Sequence, residues 1–378
     1  MAPRAFPLLR APTEPLDAST LDWKFRRQLL EGADPADDPR HRADGIVVNH
    51  PRNLAYIREP TEADADVEKI DWNDSLKHYL QDSWFPAYFF GPQVKLNFVW
   101  PHYPELQVAP GTRMLRTISR IMPYRIHGAA CEYLQRQKDK KLQVAKYFGD
   151  LTLPSIDFIR RDEEVMLMQD VNSVIDITKL LLAFPLLTIA RCLHILHDIP
   201  KGEDGDTYRN FLQFRRSPRM CPVKDNIFDI ISLPSPHPGR TSMIILVIPP
   251  WALNNIDFIS FINTGAVTPG TLDGISTAKP ASSSNVMWAL LWDICSKQKC
   301  QYFAVTTYEF WAFGNFSSDM QTAYISDLFR AAVHPHDADV QQDKLPTPAI
   351  PETLLFWMAA CVGAGGILWT PCKAKVTS

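Results

Sequence analysis

The chain has 378 residues, enough for two domains at roughly 150 residues each. Lys and Arg number 39 and Asp and Glu 42, so a net charge of −3 gives no global pull toward nucleic acid or an anionic membrane. Apolar residues at 46% allow a sizeable core, and 31 prolines against 16 glycines disfavour a doubly wound fold with glycine-rich phosphate loops.

Residues 1–45 read as a poorly ordered arm, with recurring prolines and the charged run GADPADDPRHRAD. Its start, MAPRAFPLLRAP, has prolines and arginines where a signal peptide needs a continuous apolar stretch. No signal peptide is therefore expected, and the expected location is intracellular. Residues 46–205 read as a mixed, mainly helical region. It opens with two short strand-like runs, GIVVNH and VKLNFVW, around the acidic segment EADADVEKIDWNDS. Trp72, Trp84, Phe85, Phe89, Phe90 and Trp100 concentrate aromatic bulk there, which predicts core. Residues 111–147 read as helix, first RMLRTISRIM and then HGAACEYLQRQKDKKLQVAKYF. Arg136, Lys138, Lys140, Lys141 and Lys146 give the second part a basic face, read as solvated surface. The apolar segment 163–198 predicts two packed helices or one helix kinked at Pro185. Its uncharged run from Leu180 to Ala190 falls short of the ~20 residues that span a bilayer. Residues 206–222 read as a linker.

Residues 223–372 have α/β texture. FDIISL and MIILVI predict two strands around the turn PSPHPGRTS, and Pro249, Pro250 and Trp251 stop the second strand. TGAVTPGTLDGISTAKPASSS reads as a loop and NVMWALLWDICSKQ as an amphipathic helix. QYFAVTTYEFWAFGNF predicts two strands and MQTAYIS a third; a prolyl loop then leads to a last helix, ETLLFWMAACV, closed by GAGG. The expected fold is α/β or α+β: a mixed sheet of short strands with flanking helices in the C-terminal half, beside a largely helical N-terminal half.

Few residues assemble into recognisable chemistry. The sequence contains no GxSxG elbow, P-loop, GxGxxG or kinase signature, and no cofactor is expected. The seven cysteines form no CxxC pair and read as small core residues of a reduced compartment. No metal is expected; His194 and His197 make the nearest approach to a site, sharing a helix face at i, i+3 without a third ligand. As a polar helix end the same pair suits the negative end of the helix dipole. His334, His336, Asp337 and Asp339, and the pair Asp37 and Asp38, read as solvated turns. Residues 353–372 carry no charge past Glu352, and Lys373 and Lys375 follow. That pattern fits a C-terminal membrane anchor, or a buried helix followed by a short strand, given Gly363, Gly365 and Gly366 in its middle.

Residues from about 220 to 372 resemble a group of uncharacterised proteins of mushroom-forming fungi with a core like that of the PD-(D/E)xK nucleases. The resemblance rests on the two-strand unit ending in Pro249-Pro250-Trp251, the helix Trp288 to Cys295, the block Tyr302 to Phe316, Ala323 to Ser326, and a late helix with Phe356 to Ala359. It implies a Mg²⁺ site in which an acidic residue on the first strand joins a Glu-x-Lys that precedes Pro-Pro-Trp. Leu246 and Ile248 stand in the Glu and Lys positions, and Leu290 stands where such proteins place a Gln. Only Asp225 or Asp229 remain as candidates for the first acid. The resemblance therefore implies a degenerate, inactive site. Glu309 alternates with apolar Val305 and Phe310 and reads as a half-exposed strand position.

The leading expectation is an inactive nuclease-like domain acting in binding or scaffolding, with a protein partner favoured over nucleic acid. Two alternatives stay open. One is a tail-anchored membrane protein with a cytosolic head. The other is an enzyme built from His127, His194 or His197 with acids of the 61–74 segment.

Overall fold

The computed structural model describes residues 76–86, 88–91, 94, 100, 103–136, 151–154, 169–197, 213–220, 227–235, 240–268, 270–273, 282–331 and 350–363. The arm at 1–45, GIVVNH, the acidic 61–74 segment, most of VKLNFVW, the four lysines after Arg136, Asp225 and the HPHDAD turn lie outside these residues.

Two apolar runs build the centre. β5 (Asp229–Pro234) and β6 (Thr241–Val247) pair antiparallel, as their β-branched texture predicts. β7 (Tyr302–Thr306) then lies parallel to β6, and β8 (Phe310–Phe316) and β9 (Thr322–Ile325) continue antiparallel. β4 (Arg215–Arg216) closes one edge on β5, so part of the segment read as a linker is a sheet strand. β2 (Thr117–Arg120) closes the other edge, parallel to β9, and β10 (Phe329–Arg330) pairs with β8 beyond the end of β9. Among the described residues the sheet order is β2-β9-β8-β7-β6-β5-β4, a mixed sheet of mostly short strands. A second, small parallel pair joins β1 (Tyr88–Phe90) to β3 (Gln169–Val171).

The sheet is apolar on both faces, which explains strands that read as continuous hydrophobic runs. Ile231, Leu233, Ile245, Val247 and Phe313 meet one core; Ile230, Ile244, Leu246, Phe303 and Val305 meet the other. The first core lies under α1 (Leu76–Asp82), α2 (Pro123–Arg136), α3 (Val174–Ala183), α4 (Pro185–Leu196) and α7 (Ile350–Val362). The second lies under α5 (Asn255–Ile262) and α6 (Ser283–Lys297), which occupy the crossover between β6 and β7. The chain thus has helices on both faces of one sheet.

Several sequence expectations change. RMLRTISRIM was expected to be helical, but Thr117–Arg120 is a strand, because the open edge of β9 supplies a pairing partner. α6 was expected to be amphipathic; instead Val286, Met287, Trp288, Ala289, Leu290, Leu291, Ile294 and Cys295 are all buried between the sheet and α5. α5 was not foreseen at all. Phe90 was expected in the core with its neighbours, yet it is 48% exposed, whereas Trp84 and Phe85 are buried. Pro185 does divide 174–196 into two helices, since its ring cannot continue the preceding one. Among the described residues, Val174–Leu196 is the one stretch long and apolar enough to cross a membrane, with mean hydropathy 1.7 and 61% burial.

α7 decides what the described part of residues 353–372 does. Leu354, Leu355, Phe356, Trp357 and Met358 are fully buried against α1, α2, α4 and β6. Its 13 residues reach about 20 Å, less than the ~30 Å hydrocarbon core. Of the two readings of this segment, the described residues match the buried helix, which ends at Gly363 with φ +68.

Gly314 carries the closest backbone approach in the sheet. A Cβ there would lie 2.3 Å from Phe303 Cζ and 2.6 Å from the Tyr324 carbonyl oxygen. The carbonyl belongs to β9 and cannot swing aside. Gly314→Ala is expected to destabilise the fold by about 1–3 kcal/mol, the usual range for overpacking. Thermal melts check this, and an unchanged midpoint would refute the approach.

Candidate functional site

The position implied by the resemblance is the end of β5 and β6 facing α6. Leu246 is opposite Ile230 on β5 and Val305 on β7. Leu246, Ile248 and Leu290 all belong to the core under α6, and all are fully buried. The three positions therefore belong to the same apolar core. Asp229 does not join them. Its register partner is Val247, which packs on the opposite face, so strand alternation turns Asp229 away from Leu246 and Ile248. Asp229 is buried and engaged by Arg216, whose Nε donates to Oδ2 at 2.5 Å. This carboxylate balances an edge-strand arginine and helps fix β4 on β5. Asp225 lies outside the described residues.

The histidines do not converge either. His197 caps α4, and its Nε2 shares a 3.1 Å hydrogen bond with the Tyr133 hydroxyl on α2. His194 is buried in the helical core, and His127 sits on α2 one turn before Cys131, with Sγ 3.7 Å from Nε2. Among the described residues no three His, Cys, Asp or Glu side chains cluster so as to hold a metal. The described cysteines, Cys131, Cys192, Cys295, Cys300 and Cys361, are free thiols. Burial pushes the Cys192 and Cys295 thiols up, Cys295 with a further contribution from Cys300, so both are poor nucleophiles.

Two polar constellations are visible only in the fold. The first centres on Arg113, 5% exposed. Its Nε and Nη2 donate to the Asp293 carboxylate at 2.8 and 2.5 Å, Nη2 also donates to the Leu106 carbonyl at 2.9 Å, and Nη1 donates to the Leu272 carbonyl. Asp273 beside it accepts the backbone N–H groups of Gly111 and Arg113 at 2.7 and 3.0 Å. Every guanidinium nitrogen is engaged inside the protein, in four hydrogen bonds, and the group is buried. It ties the 104–113 segment to α6.

The second lies at the carboxyl ends of the parallel strands β6 and β7, where the turn Thr307-Tyr308-Glu309 joins β7 to β8. Tyr308 adopts φ +80, a left-handed conformation rarely tolerated by a bulky side chain. The turn is held in place: the Tyr308 N–H donates to Thr306 Oγ1 at 2.9 Å, its hydroxyl to the Pro86 carbonyl at 2.6 Å, and Trp311 Nε1 to the Tyr308 carbonyl at 2.8 Å. Glu309, expected on a strand, is half-buried in this turn. Its carboxylate, after burial itself, helps hold the Tyr88 hydroxyl well above the usual phenol range.

Comparison with protein-family models, with curated proteins and with solved structures finds no match. The functional reading therefore rests on the residues themselves. No motif pointed to Arg113 or to the Tyr308 turn; the one available signal was the dense TTYEFW block, whose aromatics suit core equally well.

Proposed function

We propose that this chain is a fungal-type, intracellular, nuclease-like domain that has lost catalysis and acts in binding or scaffolding. The observation that carries this reading is that Leu246, Ile248 and Leu290 are all fully buried in one apolar core. A hydrolytic centre of the implied kind needs carboxylates around Mg²⁺ and a lysine beside the attacked phosphate. Leu and Ile supply neither, and Asp229 faces the other core with Arg216 as its partner. The five described cysteines are free thiols, which fits a reducing compartment. The near-neutral charge favours a protein partner over nucleic acid.

The test is direct. Purified chain incubated with Mg²⁺ or Mn²⁺ and with single- and double-stranded DNA and RNA is expected to show no cleavage above buffer. Metal-dependent cleavage that disappears in Asp229→Asn or Asp225→Asn would overturn the proposal.

A further inference from the structure

The sequence contains two Asn-x-Ser triplets, the acceptor signal for an N-linked glycan, at Asn73-Asp74-Ser75 and Asn315-Phe316-Ser317. The first lies outside the described residues. The second falls inside the sheet. Asn315 lies on β8, opposite Tyr302 of β7 on one side and Tyr324 of β9 on the other. It is 3% exposed. Strand alternation sets its side chain on the face of Trp311 and Phe313, both fully buried in the first core.

The folded chain has no place for a glycan at this position. The sugar is bonded to the Asn Nδ2 and is bulky and rich in hydroxyls, so it has to pass straight into water. Asn315 offers no such exit, since its side chain is enclosed and its Oδ1 is buried. β8 cannot yield either, because Gly314 beside it has no room even for a Cβ against Phe303 and the Tyr324 carbonyl. Sugar hydroxyls forced into the apolar core would lose their water without gaining partners. Transfer to the folded chain is blocked as well. The acceptor signal includes the Ser317 hydroxyl, which donates to Asp319 Oδ1 at 2.6 Å and accepts the Thr322 N–H at 3.0 Å. Both acceptor side chains are free only before the sheet forms.

We infer that Asn315 is an N-glycan acceptor in the unfolded chain alone, and that a glycan placed there stops β8 from pairing. The chain then reaches this fold only where it is made out of contact with the enzyme that glycosylates nascent chains in the lumen of the secretory pathway. In that transfer the Asn315 Nδ2 loses a proton and bonds to the first sugar carbon. The lipid pyrophosphate that carried the oligosaccharide leaves and takes up the proton, so no oxidant or reductant enters. The inference bears on the intracellular element of the proposed function and stands without it, since it uses neither the nuclease-like positions nor the thiols.

Cell-free translation with and without endoplasmic-reticulum microsomes tests this on the full chain. The chain is given a cleavable signal sequence and Asn73→Gln, which leaves Asn315 as its one Asn-x-Ser acceptor. The translocated chain is expected to gain one glycan, seen as a gel shift that an endoglycosidase reverses. After detergent lysis it should lose the trypsin-resistant fragment that the chain made without microsomes retains. Blocking transfer with a competing acceptor tripeptide leaves the chain unaltered and should restore that fragment. Ser317→Ala removes the acceptor signal, keeps Asn315 and should do the same. Because Ser317 also serves its turn, this variant is checked first without microsomes, and the tripeptide arm decides where it does not fold. A chain that carries the glycan on Asn315 and keeps the resistant fragment overturns the inference. So does absence of transfer to Asn315, since nothing then bars the secretory route. So does an unglycosylated translocated chain that still lacks the fragment, because the lumen itself and not the glycan would then be the obstacle.

Discussion

Restoring the missing carboxylate and lysine, by Leu246→Glu with Ile248→Lys, is expected to unfold the chain and to yield no cleavage. Both side chains are fully buried, and the surfaces they face are Ile230, Val305 and the apolar flank of α6. A buried charge without a matched partner costs several kcal/mol even after the surroundings relax. Whole-domain stability is only about 5–15 kcal/mol, so two such charges consume most of it. The new Glu and Lys sit two residues apart on one strand face and could pair with each other, yet the pair would still lose its hydration in a setting with no further donors. Far-UV circular dichroism and urea titration read the outcome. The conservative control Leu246→Met should cost less than about 1.5 kcal/mol, because volume and polarity are nearly kept. A double variant that stays folded and cuts DNA with Mg²⁺ would mean that the site retains room for a metal, and would end the reading of this face as ordinary core.

The same burial explains what was legible in the sequence. β5, β6, β7 and β8 are buried on both sides, so they read as runs of Ile, Val and aromatics and were easy to place. The Thr117–Arg120 strand was not, because Met114, Leu115, Ile118, Ile121 and Met122 repeat at helical spacing. What makes that segment a strand is the edge of β9, over 200 positions later, with Thr117 opposite Thr322. α5 spans only eight residues between a Pro-Pro turn and a loop, too short for a periodic signal, although Asn254 caps it by accepting the Asp257 N–H at 2.9 Å. The site positions show the same division. Leu246 and Ile248 were identified as apolar replacements from the residues alone. That Asp229 points to the other face follows from register, which no local pattern carries. Phe90 and Tyr88 share one face of β1, yet one is exposed and the other buried; sequence density alone placed the aromatics of this region together in the core.

Arg113→Met is expected to lower stability by about 3 kcal/mol, the scale for removing one partner of a buried ion pair. The guanidinium is fully buried and the Asp293 side chain 23% exposed, so the carboxylate left behind is partly, not wholly, rescued by water. The change also strips donors from the Leu106 and Leu272 carbonyls. Asp293 lies 180 positions from Arg113, so the lost bonds are long-range ones that hold the 104–113 segment against α6. A double-mutant cycle isolates the pair: Arg113→Met with Asp293→Asn should cost clearly less than the sum of the single changes, because neither variant then leaves a stranded charge. Added salt should not rescue Arg113→Met, since buried pairs are screened little. The exposed pair Arg136–Glu132 on α2 gives the contrast: its side chains are 58% and 65% exposed, and Arg136→Ala should cost no more than about 0.5 kcal/mol. If Arg113→Met and Arg136→Ala shift the urea midpoint equally, the Arg113 cluster is not a structural staple. Its buried guanidinium would then need another reason to exist.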